Sequence, residues 1–244
     1  MKRIIPLLLL VLLPTAAAAQ VPDLSTLLPQ GEGSASGRII QMVALLTVLS
    51  LAPGLLIMVT SFTRFVVALS FLRTGLGLQT TPANIVMISL ALFLTFYVMA
   101  PTFDRAWVNG LQPLMKNEIT EQEAYSRVTD PFRDFMLQHV REKDLQTFEN
   151  LAAESMKIKL EGQRIDLRII IPAFMVSELR RAFEIGFLVV MPFLVIDMIV
   201  ATLTMSMGMM MMPPTILALP FKMLFFVLID GWNLLASGLV RSFS

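Results

Sequence analysis

The chain has no cysteine and a single histidine, His139. The first absence excludes a disulfide framework and any thiolate-ligated metal site, and the second leaves imidazole-rich metal chemistry without ligands. No cofactor and no metal ion is therefore expected. Charge is also scarce: Asp, Glu, Lys and Arg make up 15% of the residues and cancel to +1, so there is no basic face for nucleic acid. No Gly-x-x-x-x-Gly-Lys-Ser/Thr phosphate loop is present, and the chain is not expected to be an ATPase itself.

Apolar residues fill the sequence instead. They account for 56% of it, with a mean hydropathy of +0.74. Soluble domains stay near 45–50%, so the composition predicts an integral membrane protein. Residues 1–19 read as a cleavable secretory signal peptide: Lys2 and Arg3 lead an apolar core too short to cross a bilayer, and Ala17-Ala18-Ala19 offers a cleavage site. A retained anchor is the alternative. Residues 20–38, with Pro22, Pro29 and several Gly and Ser, read as a linker on the periplasmic side of a bacterial inner membrane.

Beyond the linker, hydrophobicity predicts an all-α protein of about four apolar segments arranged as kinked helical hairpins. The first pair occupies residues 39–103 and the second 182–244, with a small helical periplasmic domain, residues 104–181, inserted between them. Pro53-Gly54 is expected to kink or break the first span. Arg64 and Arg73, with no acidic residue before Asp104, place the next connection in the cytoplasm by the positive-inside rule. Thr81 with Pro82 is expected to start the second span. In the insert, Thr120-Glu121-Gln122-Glu123 reads as a capping box and Asp130-Pro131 as a helix start. Phe132, Phe135 and Phe148 recur at helical spacing and are candidates for packing against a core or another subunit. Strict alternation over residues 164–169 predicts an extended segment before Pro172 opens a helix, which Pro192 breaks.

Three charges stand inside the second pair: Asp197, Lys222 and Asp230. Each costs about 2.5–3.5 kcal/mol at the centre of a lipid-exposed helix, so they must face protein or water. A carboxylate partner for Lys222 is expected on another helix or another copy. Glu178 across a subunit boundary is the first choice and Asp197 the second, with a proton relay as the competing reading of these groups. Paired aspartates also raise an intramembrane aspartyl protease, but Asp230 lacks the Gly-x-Gly-Asp context and Asp197 lacks a preceding Tyr. No enzymatic activity is expected.

Six of the ten residues at 205–214 are methionine: Met205, Met207, Met209, Met210, Met211 and Met212, followed by Pro213-Pro214. Thioether side chains are unbranched and polarizable, suited to a contact that seals and then yields. The two prolines stop any helix, which puts the run on a turn between two apolar segments. Ordinary gap-filling between helices is the other reading.

Several long motifs carry a resemblance. Thr60-Ser61-Phe62-Thr63-Arg64, Leu69-Ser70-Phe71-Leu72-Arg73, Gln79-Thr80-Thr81-Pro82, Pro192-Phe193-Leu194-Val195-Ile196-Asp197-Met198, the methionine run and Leu219-Pro220-Phe221-Lys222 together resemble the FliP/SctR family of type III secretion export-gate subunits. The signal peptide points to its flagellar branch. The resemblance implies a subunit of the protein-conducting pore for unfolded flagellar proteins at the basal body. It also implies a pentameric homo-oligomer with FliQ and FliR, and FlhB and FlhA nearby. Under it, the methionines become a pore gasket, and the apolar segments pack on protein largely above the bilayer plane. A small-ion channel or transporter subunit is the alternative from residues alone.

Overall fold

A computed structural model describes residues 35–156, 165–208 and 213–243, and among them every regular element is helical. The signal peptide and most of the linker lie outside the described residues. The chain divides into two compact units, residues 1–52 and 53–244. Helix α1 (Ala35–Met58) runs across that division, starts before the expected position 39, and continues through Pro53. The interruption falls at 59–61 instead, where the Thr60 hydroxyl accepts from the Phe62 N–H at 3.4 Å and competes with the helical pattern.

In the second unit, α2 (Phe62–Gly75) is the innermost helix. Phe65, Ala68, Leu69 and Leu72 repeat at three and four positions and are all buried. They meet Met87 and Ala91 of α3 (Asn84–Ala106) and Phe193 of the long helix α7 (Leu167–Ser206). The α3 helix begins after Thr81 and Pro82, not on them, and passes through Pro101. It continues as a π-helical turn, Trp107–Leu111, and a short α4 (Gln112–Met115). Together these form a continuous helical run of 32 residues, Asn84–Met115, with a stretch apolar enough to cross a membrane.

A second core joins Met99 of α3 to Phe135 and Met136 of α5 (Glu121–His139) and to Ile170 and Phe174 of α7. Thr120 caps α5 as expected, accepting from the Glu123 N–H at 3.3 Å. Asp130-Pro131 starts nothing, because Pro131 sits inside α5. The α6 helix (Glu142–Met156) leads toward α7. Asp166 caps α7, accepting from the Arg168 N–H at 2.9 Å, so the extended reading of 164–169 is wrong from Leu167 onward. The Arg168 side chain, with that backbone N–H behind it, holds the Asp166 carboxyl below the usual carboxylate range.

The 40 residues of α7 continue through Pro172 and Pro192, correcting the expected break. At about 1.5 Å per residue the helix is about 60 Å long. Packing on α2 sustains it where an isolated helix would give way at proline. Small residues allow the approach: a Cβ on Gly186 would meet the Phe71 ring at 2.5 Å, and one on Gly75 would meet Phe193 at 3.0 Å. The C-terminal pair, α8 (Pro214–Leu228) and α9 (Gly231–Arg241), bends by 63° at Asp230. By length and composition two described helices can cross a membrane, or up to four if each bent pair is one span.

Candidate functional site

Four ionisable side chains organise the interior, and their pairing differs from the expectation. Arg64 lies on the same α2 face as Ala68 and Leu72, with its side chain 0% exposed. The facing positions on α7 are Phe174, Glu178 and Ala182, spaced by four and equally buried. Arg64 Nε donates to Glu178 Oε2 at 2.8 Å and Nη2 to Oε1 at 2.5 Å. Its Nη1 donates to the Ser242 carbonyl and hydroxyl at 2.7 and 2.9 Å, and the guanidinium lies over the Phe243 ring at 3.5 Å. Arg64 is thus a buried helical residue and not a loop cation, as its place in the sequence suggested. It is the centre of a closed polar cluster that joins α2, α7 and the segment after α9.

Glu178 is therefore unavailable to Lys222. The Lys222 ammonium donates instead to Asp197 Oδ2 at 2.6 Å and to the Gly75 carbonyl at 3.0 Å, within the same chain. Gly75 ends α2, so the cation satisfies a carbonyl that the helix leaves open and meets the negative end of its dipole. This node ties α8 to α7 and α2. Asp197 Oδ1 is buried without a partner, although the side chain as a whole is 26% exposed.

Asp230 is not a buried charge. It is exposed, holds a left-handed backbone with φ of 50°, and accepts from Asn233 Nδ2 at 3.1 Å at the bend between α8 and α9. Phe135 is buried in the chain's own second core, edge-on to Phe174 and stacked on Phe243. Phe132 and Phe148 are half-buried, and Phe132 packs edge-on to Phe103. Met205 and Met207 are 61% and 71% exposed at the end of α7, where Gly208 turns the chain with φ of 71°. The other gasket candidates, Met209, Met210, Met211 and Met212, lie outside the described residues.

Sequence reasoning missed Arg64, Ser242, Phe243 and His139 as one cluster. For Arg64 a signal existed, since it precedes Ala68 and Leu72 by four and eight positions on an otherwise apolar face. The C-terminal partners carry no such pattern.

These nodes sit in a chain whose motifs match known proteins over most of their length. The model of the FliP family matches residues 45–239. The chain belongs to the FliP family. It is 63% identical over 212 residues to the flagellar biosynthetic protein FliP of Rhizobium meliloti (strain 1021), covering 87% of this chain and 86% of that protein. The corresponding protein of Agrobacterium fabrum (strain C58 / ATCC 33970) is 55% identical over 243 residues, covering 100% and 99% of the two chains. That of Bacillus subtilis (strain 168) is 51% identical over 204 residues, covering 84% and 91%. The family match takes in Arg64, Glu178, Asp197 and Lys222, so both buried charge nodes lie inside the family's own region.

Proposed function

We propose that this chain is a core subunit of the flagellar type III protein export gate in the bacterial inner membrane, forming the pore through which unfolded flagellar proteins pass. Family membership supports the flagellar assignment. The single structural observation that carries the pore is the end of α7. Met205 and Met207 are exposed there, which leaves these two thioethers uncovered by their own chain.

Repeated around an axis in a homo-oligomer, taken here as a pentamer with FliQ and FliR and with FlhB and FlhA nearby, the run closes against itself and re-packs around a passing polypeptide. Residues 104–181 then form the periplasmic portion, with Phe132 and Phe148 available to neighbouring subunits. The aspartyl-protease reading loses its support: Asp197 is held by Lys222 rather than by a second carboxylate, and Asp230 is exposed.

The test is to replace Met209, Met210 and Met211 together by Ala. Each buried methionine contributes about 1.5–3 kcal/mol, and a ring multiplies that loss. The expected complex still assembles and exports but leaks small ions, read as conductance in planar bilayers. Leu replacements are expected to seal better than Ala and pass substrate less readily. An alanine complex as ion-tight as the parent would assign the methionines to ordinary packing.

A further inference from the structure

The α7 and α9 helices frame an apolar groove of about 340 Å³. Ile185, Leu188 and Pro192 line it from α7, and Leu234, Gly238 and Ser242 from α9. A glycine inside a helix is less stable than an alanine, so each one calls for a reason. At Gly75, Gly186 and Gly231 the reason is a phenylalanine ring that a Cβ would strike or crowd. At Gly238 a Cβ would meet no atom within 4 Å, and the space it leaves belongs to the groove.

One end of the groove is basic. Arg181 stands four residues before Ile185 on the same face of α7, and Arg241 directly precedes Ser242. Arg181 lies within electrostatic reach of Arg64, whose Nη1 donates to the Ser242 carbonyl at 2.7 Å, so both arginines belong to the Ser242 end. Neither has an ion-pair partner among the described residues. The carboxylates within one turn of Arg181 are already taken, Glu178 by Arg64 and Glu184 by Arg180 at 2.9 Å.

We propose that this groove holds an anionic phospholipid, with an acyl chain between α7 and α9 and the phosphate on Arg181 and Arg241. The proposal rests on the reading of α7 and the α8–α9 pair as membrane segments. Charge selects the occupant. An apolar groove alone accepts any acyl chain or apolar helix, whereas two unanswered guanidinium groups at its end match the planar geometry and charge of a phosphodiester. A zwitterionic headgroup brings its own cation to the same place and is disfavoured there. Arg181 and Arg241 also border the apolar segments, the level at which a span leaves hydrocarbon and meets lipid phosphates.

The test is native mass spectrometry of the full-length protein in detergent, titrated with phosphatidylglycerol and with phosphatidylcholine of the same acyl chains. Each arginine near an anionic headgroup contributes about fivefold, so the parent is expected to prefer phosphatidylglycerol by about five- to thirtyfold. Arg181→Gln combined with Arg241→Gln is expected to level the two lipids. Gly238→Leu, which projects into the groove, is expected to weaken both. A parent without preference, a double variant that keeps it, or a leucine variant that binds both lipids like the parent would overturn the proposal. So would a Gly238→Leu protein that folds but no longer assembles on native gels, because the groove would then belong to a second copy. Should the variants not fold, the parent alone decides: a preference lost in about 1 M ammonium acetate, where charges are screened within about 3 Å, supports the arginine site, and one that persists sinks it. Carbonate washing of cell membranes checks the underlying reading separately. A chain released by carbonate refutes both, and a retained chain without lipid preference refutes this proposal alone.

Discussion

Arg64 and Lys222 are both cations packed among apolar helices, and they are held in opposite ways. Four contacts occupy the Arg64 guanidinium, Glu178 answers it through both oxygens, and neither side chain reaches solvent. The Lys222 node is lopsided. Its ammonium is nearly buried, but Asp197 is partly exposed and keeps one buried oxygen without a partner. A closed pair desolvates both charges and depends on both partners, so losing either leaves an uncompensated ion. A half-open pair retains water on one side and loses less when broken. The first node is fully satisfied within the chain, and the second keeps one carboxylate oxygen without a donor.

Breaking the closed node should have the largest effect. Glu178→Ala leaves Arg64 charged in an apolar interior and is expected to cost about 3–5 kcal/mol, read as loss of folded protein in detergent. Combining it with Arg64→Leu should recover much of that loss, since the stranded charge is then gone. A double variant worse than the sum of the singles would mean the pair is not the unit described here.

Lys222→Met should cost less, about 1–3 kcal/mol: Asp197 and the Gly75 carbonyl both lose their donor, but the Asp197 side chain is partly exposed and can be hydrated. Thermal melts of the two single variants, side by side, measure the asymmetry. Equal losses would erase the distinction between closed and open nodes.

Asp230→Asn should have the smallest effect, within about 0.5 kcal/mol, since an exposed side chain is changed and Asn also tolerates a left-handed backbone. Assembly on native gels is expected to be unaltered. An assembly defect would show that Asp230 is buried by a partner and belongs with Asp197 and Lys222 after all.

Much of this was legible before any coordinates. Hydropathy called for a helical chain with membrane-spanning segments, the Thr120 cap was read from four residues, and the need to pair Lys222 followed from the energy of a charge in an apolar helix. Proline was misread at Pro53 and Pro192 as a break and at Pro131 and Pro172 as a helix start, and each lies inside a continuous helix. The rule that proline ends a helix describes an isolated segment, whereas the packing of α5 on α3 and of α7 on α2 sustains the helix at Pro131, Pro172 and Pro192.

The sequence by itself determined helical class, apolar character, family and the presence of charges that must be paired, because these follow from composition, periodicity and motifs along the chain. Only the tertiary structure decided who pairs with whom. Arg64 and Glu178 are 114 positions apart, and Arg64 and Ser242 are 178 apart. No local signal spans such distances. The face that α2 turns toward α7, set by small residues at Ala68, Gly75, Ala182 and Gly186, brings Arg64 to Glu178 and so leaves Asp197 for Lys222.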